Sequence, residues 1–145
     1  MKTTLLLLGS CLALVFTGWE TNFETAKSIA KEKHQLILLN FSGSDWCGPC
    51  IRMHKEIFEN TGFTSMADSL LVLVNADFPR NKKNQLPKAV QEQNEMLADR
   101  YNTQGAFPLT VLLDENGKIL KTWDGLPKDA TAFIQDIKNI AHARN

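Results

Sequence analysis

Nearly continuous apolar runs occupy residues 36–41 and 70–76. Short runs of this kind, without alternation of polar and apolar positions, favour strands that are buried on both faces. Two further segments, 108–114 and 118–123, flank Asn116-Gly117, which is a strong signal for the turn of a β-hairpin. The pattern therefore predicts four strands, of which the last two pair in antiparallel fashion.

Apolar residues at helical spacing predict helices between and around the strands. The first helix is predicted to begin after Thr21, whose spacing to Glu24 is that of a capping box, and to end at about Lys33. The same periodicity predicts a helix after Cys50 that carries Met53, Ile57 and Phe58, a helix over residues 89–101 and a helix over residues 128–143.

The polar segment 77–88, which contains Pro79 and Pro87, follows the second strand and is predicted to be a loop. Strands that alternate with helices are typical of the α/β class. The element order therefore predicts a mixed central sheet, parallel in part, that is flanked by helices and closed by an antiparallel hairpin.

The N-terminal segment has the composition of an export signal. Lys2 precedes an apolar stretch of roughly 14 residues, too short for a membrane span of about 20 helical residues, and small residues follow it. We predict a signal peptide over residues 1–18 and a single domain over residues 19–145, in a periplasmic or secreted protein. Two alternatives would attach the protein to a membrane: lipidation of Cys11, which ends a lipoprotein-like Leu-Gly-Ser-Cys sequence, or a leader that is not cleaved.

Composition and charge narrow the classes of function. The chain is 43% hydrophobic and 22% charged, which is ordinary for a globular domain and excludes a disordered or coiled-coil protein. Sixteen basic residues balance sixteen acidic ones without forming a basic block, so nothing supports a nucleic-acid partner. A neutral domain of this size is expected to be a monomer.

Candidate chemistry concentrates in the sequence Asp-Trp-Cys-Gly-Pro-Cys at residues 45–50, between a buried strand and a helix. Removal of the leader leaves Cys47 and Cys50 in a compartment where disulfides persist. Only a thiolate attacks a disulfide, and a helix N-terminus lowers the pKa of a thiol placed there. Gly48 is expected to allow a tight turn that leaves Cys47 uncovered, and Pro49 suits a first helical turn because it lacks an N–H. The pattern predicts a redox-active pair.

Two other roles for the cysteines stay open at this point. A structural disulfide would close only the short loop 47–50, for which chain entropy gives about 2 kcal/mol, so it would add little stability. A metal site could use Cys47, Cys50 and His54 on one helical face, but zinc prefers a fourth ligand, and His34 and His142 lack the paired spacing of such a site. No metal or other cofactor is therefore predicted.

The motif at residues 46–50, Trp-Cys-Gly-Pro-Cys, resembles that of thioredoxin, as do Phe107-Pro108 before a late strand and Asn116-Gly117 after it. The resemblance covers about residues 20–143 and implies a thioredoxin-like fold. It also implies roles for single residues. Cys47 would be the attacking thiolate, Cys50 the resolving thiol and Trp46 a shield for the pair. Pro108 would be a cis-proline that faces the disulfide, preceded by a residue, Phe107, whose backbone hydrogen-bonds an extended substrate.

The sequence departs from the thioredoxin pattern in three places. Asn40 stands where cytosolic thioredoxins carry a buried aspartate, thought to relay a proton from the resolving cysteine. Asp45 and Asp77 are possible substitutes, although each is more typical of a solvated turn. Phe107 replaces a smaller residue and is expected to narrow the substrate groove. The polar segment 77–94 resembles an insertion in exported bacterial thioredoxin-like proteins, and either carries partner specificity or is solvated surface.

Together these features predict an exported thiol–disulfide oxidoreductase that acts on disulfide-containing proteins and exchanges electrons with a second protein. The Gly48-Pro49 dipeptide is that of thioredoxin and favours reduction over oxidation. Two other functions remain as alternatives. One is a binding module that uses the groove beside Pro108, and the other is a metal carrier that uses Cys47, Cys50 and His54.

Overall fold

The computed structural model of the protein describes residues 18–144. The predicted leader, apart from Gly18, and the alternative lipidation site Cys11 lie outside the described residues, so both stay predictions. Over residues 18–144, none of the helices combines the length and the apolar character that a membrane span requires.

Five α-helices and four strands make up the described part of the chain. They are α1 (Phe23–Lys33), β1 (Leu36–Ser42), α2 (Gly48–Met53), α3 (Thr61–Leu70), β2 (Leu71–Asp77), α4 (Lys88–Tyr101), β3 (Leu109–Leu113), β4 (Ile119–Asp124) and α5 (Ala130–His142). Helix α2 continues directly into a π-helical turn, His54–Phe58, and a short 3-10 turn, Lys82–Asn84, lies in the connection between β2 and α4.

The strands form one sheet in the order β2-β1-β3-β4. β1 pairs in parallel with β2 and antiparallel with β3, and β3 pairs antiparallel with β4. The predicted α/β fold, with a mixed sheet and a closing hairpin, is confirmed. The hairpin turns where the sequence predicts it, because Gly117 has a φ of 84° and the Asp114 carboxylate accepts hydrogen bonds from the backbone N–H groups of Asn116 and Lys118, both at 2.9 Å.

Between the motif and β2 the prediction was incomplete. The sequence predicted one helix after Cys50, whereas the chain forms α2 with its π-helical turn and then a separate helix, α3. Asn60 begins α3, since its side chain accepts a hydrogen bond from the N–H of Gly62 at 2.8 Å. Phe63 and Met66 lie on the buried face of α3, and this helix ends at Leu70, so β2 starts one residue later than predicted.

Hydrophobic cores lie on both faces of the sheet, because β1 is buried along its whole length. Ile37, Leu39 and Phe41 contribute to the core beneath α1 and α4. Leu36 and Leu38 point the other way, into the core formed with α2, α3 and α5. The C-terminal end of β1 is thereby held from both sides, and it leads directly into residues 43–47.

The segment before α1 is attached to the free edge of β2. The backbone N–H of Glu20 donates to the carbonyl of Leu73 at 2.7 Å, and the N–H of Asn75 donates to the carbonyl of Glu20 at 3.4 Å. Trp19 packs edge-on against Phe58, with ring centroids 4.8 Å apart. Residues 19–20 therefore belong to the folded domain.

Candidate active site

Cys47 and Cys50 form a disulfide at the start of α2. Cys47 is the N-cap residue of α2, and Cys50 lies one turn further on, with the two Cα atoms 5.2 Å apart. The Cys50 backbone N–H points at Cys47 Sγ, 3.3 Å away. The cap position thus aims the free N–H groups and the positive dipole end of the helix at the Cys47 sulfur, where they would stabilise a thiolate.

The expectation that Cys47 is uncovered is wrong for this oxidised form. Cys47 is 4% exposed and Cys50 is 5% exposed when the bond between them is closed. Gly48 and Pro49, by contrast, lie at the surface. Gly48 does not have a positive φ, and a Cβ added there would meet nothing within 4 Å. The turn therefore does not require glycine at position 48, and the space above the residue is open.

Trp46 lies over Gly43 and is held by the connection that follows β2. Its indole Nε1 donates to the carbonyl of Phe78 at 2.7 Å. Its ring packs edge-on against Phe107, with centroids 5.4 Å apart. A Cβ added to Gly43 would overlap the indole, so the absence of a side chain at this residue sets the position of Trp46.

Phe107, two residues before β3, contacts Trp46 and so places the start of β3 beside the motif. The Phe107–Pro108 peptide bond is cis, as the resemblance implied. Phe107 packs against Phe78 as well as Trp46, with the Phe78 ring centroid 5.5 Å away. These three aromatic rings form one cluster, called here the aromatic cluster, between the motif, β3 and the residues after β2. The expected narrowing of the groove by Phe107 stays a prediction.

Asp45 lies in a solvent-accessible turn, as expected, and its carboxylate also anchors the connection after β2. Its carboxylate accepts hydrogen bonds from the N–H groups of Arg80 and Asn81, both at 2.9 Å, and from the side chain of Asn84 at 3.0 Å. The bond from the Arg80 backbone, followed by that from Asn84, holds the pKa of Asp45 below its usual value. We call residues 78–87 the active-site loop, since this carboxylate ties them to the residue before Trp46.

Asp77 also has a structural role in place of the expected solvated position. Its carboxylate accepts hydrogen bonds from the hydroxyl groups of Ser42 and Ser44 and from the backbone N–H of Ser44 at 2.8 Å. The backbone N–H of Phe78 donates to it at 3.0 Å. Asp77 thus joins the end of β2 to the residues that lead from β1 into the motif.

A cavity lies beside Cys50, lined in part by polar side chains and in part by the apolar side chains of Trp19, Ile51 and Phe58. It has a volume of about 370 Å³, and Asn40, Ser42 and Ser44 line it together with Asn75. Asn40 is buried, accepts a hydrogen bond from the Thr110 hydroxyl at 3.1 Å and donates to the Asn75 side chain at 3.4 Å. The amide of Asn40 is therefore hydrogen-bonded although it is buried, and it carries no ionisable group. The cavity is large enough for water, and Asn40, Ser42, Ser44 and Asn75 offer partners for water on its polar side.

His54 lies at the mouth of the same cavity but does not form a ligand set with the cysteines. Its side chain is 59% exposed, and Nε2 is 3.4 Å from a carboxylate oxygen of Glu59. Over residues 18–144 no three side chains of His, Cys, Asp or Glu are grouped as metal ligands.

Several of these contacts were not found from the sequence. Arg80 places its guanidinium 3.8 Å above the Trp46 ring, a contact that no local pattern of the sequence predicts. The close packing of Trp46 on Gly43 was not predicted either. The single available signal was the run of polar residues with two prolines at 77–88, which is typical of an ordered loop as well as of a solvated one.

Comparisons with known proteins agree with this geometry. Residues 23–141 match the family described as the thioredoxin-like domain. The chain is 33% identical over 126 residues to "Disulfide bond reductase DsbH" of Chlamydia pneumoniae, and the alignment covers 87% of this chain and 74% of that relative. These matches confirm the resemblance inferred from residues 46–50.

Solved structures give the same result. One described as "DsbH Oxidoreductase" superposes with a TM-score of 0.78 at 29% identity, covering 97% of this chain and 95% of that chain. A thioredoxin from Thermus thermophilus superposes with a TM-score of 0.61 at 16% identity, covering 81% of this chain and 82% of that one. At that level of identity the second likeness shows a shared fold alone.

Proposed function

Since the chain belongs to the thioredoxin-like domain family and is a thiol–disulfide oxidoreductase, we propose that it reduces disulfide bonds in exported proteins through Cys47 and Cys50. The observation that carries the proposal is the placement of Cys47 as the N-cap of α2, disulfide-bonded to Cys50 one turn later. Export follows from the leader predicted over residues 1–18, and the folded chain acts as a monomer.

In the proposed reaction the Cys47 thiolate attacks one sulfur of a substrate disulfide. A mixed disulfide forms, and the other substrate sulfur leaves as a thiolate that takes up a proton. The Cys50 thiolate then attacks Cys47 Sγ, so that the Cys47–Cys50 bond forms and the second substrate sulfur is released. Two electrons pass to the substrate, and a dithiol protein must reduce the pair again.

The surroundings of the pair support these roles. Cys50 must lose its proton before it attacks, and the cavity lined by Asn40, Ser42 and Ser44 gives water access to that side of the pair. The open space above Gly48 leaves room for the substrate. The backbone of Phe107, before the cis bond to Pro108, is the proposed site at which an extended substrate forms hydrogen bonds, and Trp46 shields the pair.

Reduction as the direction of the reaction rests on two observations. The relative from Chlamydia pneumoniae is described as a disulfide bond reductase. The dipeptide Gly48-Pro49 is the one that thioredoxin carries. Thioredoxin has a reduction potential of about −270 mV, whereas strong oxidants of the same fold reach about −120 mV.

The direction is tested by the reduction potential of the Cys47–Cys50 pair. The purified protein is equilibrated in graded dithiol–disulfide buffers and its free thiols are counted. We expect a value near or below about −250 mV. A value above about −180 mV would make the protein an oxidant or an isomerase, and a pair that never cycles would return it to a structural disulfide.

The roles of the two cysteines are tested by trapping. Cys50→Ser keeps the attacking thiolate but cannot resolve the intermediate, so we expect it to accumulate mixed disulfides with substrate proteins. Cys47→Ser lacks the attacking group and should trap none. The measurement is a comparison of reducing and non-reducing gels, and equal trapping by the two variants would contradict the assigned roles. If the double variant Cys47→Ser/Cys50→Ser kept full function in cells, the protein would be a binding module instead.

A further inference from the structure

We propose that the active-site loop, together with Lys88, forms a cationic wall of the substrate site and selects disulfides whose flanking residues are acidic. This inference rests on the proposed function, because it concerns the substrates of the same Cys47–Cys50 pair. It assigns to residues 78–88 the partner specificity that the sequence left undecided.

The loop carries a local excess of positive charge. Between Phe78 and Gln91 the sequence contains basic residues and no acidic ones. The basic residues are Arg80, Lys82, Lys83 and Lys88, and all of them are exposed. Because the whole chain is neutral, with sixteen charges of each sign, this excess is a property of one surface.

Most of this charge is free to meet a partner. Within residues 18–144, the side chains of Arg80, Lys82 and Lys83 form no ion pair, whereas Lys88 lies 3.6 Å from Glu92. Among the other basic side chains of residues 18–144 some are paired, as Arg52 is with Glu56 at 3.0 Å and Lys121 with Asp136 at 3.4 Å, and others are not. Three carboxylates adjoin this surface and offset part of its positive charge. Asp45 and Asp77 accept hydrogen bonds from the loop backbone, and Glu92 pairs with Lys88.

The loop is fixed in place by contacts to Asp45 and Trp46, the two residues before Cys47. Asp45 binds the loop backbone at Arg80 and Asn81, and the indole of Trp46 binds the carbonyl of Phe78. The side chain of Gln85 closes the loop on itself by donating to the carbonyl of Pro79 at 2.9 Å. An ordered charged surface attracts a ligand without first losing conformational entropy, which favours binding.

Arg80 is the basic residue of the loop that lies on Trp46, next to Cys47 in the sequence. Its guanidinium stacks on the ring of Trp46 at 3.8 Å, and Trp46 is the residue directly before Cys47. A guanidinium held on an aromatic ring keeps donors free for a carboxylate. A substrate cysteine held at Cys47 therefore brings its neighbouring residues next to Arg80, and an aspartate or glutamate there meets an attractive potential.

The test compares two disulfide peptides that differ only in charge. Each contains one disulfide, flanked by glutamates in one peptide and by lysines in the other. The pre-reduced protein reacts with each in a single turnover, so no electron donor is needed, and the rate is followed by acid quenching and mass spectrometry. At about 20 mM salt we expect the acidic peptide to react about tenfold faster, and at about 500 mM salt the two rates should converge because salt screens the attraction.

Matched variants locate the effect. In Lys82→Gln/Lys83→Gln, the advantage of the acidic peptide at low salt should fall about threefold. In Lys31→Gln/Lys33→Gln, which removes the same charge from the last turn of α1, the advantage should be unchanged. Both pairs are exposed, so both variants should fold, and far-UV circular dichroism verifies this.

The outcomes separate this proposal from the proposed function. Equal rates for the two peptides with the unaltered protein, or an advantage that is undiminished in Lys82→Gln/Lys83→Gln, would overturn the cationic wall and leave the reductase intact. A pre-reduced protein that reacts with neither peptide would overturn both.

Discussion

At the scale of single residues, Gly43 determines where Trp46 lies. The indole occupies the space that a side chain at position 43 would fill, and its Nε1 reaches the carbonyl of Phe78 from there. Glycine is needed at position 43 because the ring of Trp46, three residues further along the chain, leaves no space for a Cβ. The more usual reason for a glycine is a positive φ, which Gly43 does not have.

Gly43→Ala is expected to displace Trp46 and break its hydrogen bond to Phe78. Overpacking of this kind lowers the free energy of unfolding by about 1–3 kcal/mol. Thermal unfolding of the oxidised protein measures this loss. Gly48→Ala is the matched control. Its Cβ meets nothing within 4 Å, and alanine is the better helix former, so stability should be unchanged or slightly higher. Equal losses for both variants would contradict the steric argument.

Asp45 gives the active-site loop a dependence on pH. The folded state lowers the pKa of Asp45, mainly through the hydrogen bond from the Arg80 backbone. The stabilisation is therefore present above the unfolded pKa of about 3.9 and is lost as pH falls through the lower, folded value. We expect the amide proton shifts of Arg80 and Asn81 to stay constant from neutral pH and to move only below that unfolded pKa.

Asp45→Ala removes this titration. In the variant the two amide signals should lie at the position of solvated amides already at neutral pH, without a step in the acid range. A step of the same size in the variant would show that another group holds the loop.

At the scale of secondary structure, α3 couples the motif to the core. Phe63 is fully buried, with its ring centroid 5.1 Å from that of Phe58 and 6.3 Å from that of Phe133. Phe58 ends the π-helical turn that continues α2. The helix that carries Cys50 is thus supported through aromatic contacts with α3 and α5.

Phe63→Ala is expected to destabilise the protein by about 3–5 kcal/mol, because a fully buried aromatic side chain leaves a cavity. Chemical denaturation gives the free energy of unfolding. Met96→Ala is the control on α4, where the side chain is 65% exposed, and it should change stability by less than about 0.5 kcal/mol. A loss at Phe63 as small as that at Met96 would contradict the supporting role of α3.

At the scale of the whole molecule, the sequence predicted the features that depend on local periodicity. The runs at 36–41 and 70–76 became neighbouring parallel strands, and Asn116-Gly117 formed the hairpin turn. α3 was missed because Asn60 and Gly62, which begin it, also fit an irregular connection. The contacts of Asp45 and Arg80 were missed for a different reason: each joins residues more than thirty positions apart, and no local pattern encodes such a distance.

At high protein concentration, the edges of a sheet are the places where separate molecules join and aggregate. In this protein Glu20 occupies part of the free edge of β2 with its own N–H and carbonyl groups. The opposite edge strand, β4, carries Lys121, and charged side chains oppose pairing with another chain. Protection of β2 depends on Trp19 and Glu20 and exists only once they have docked, so the newly folding chain is most prone to self-association just before that step.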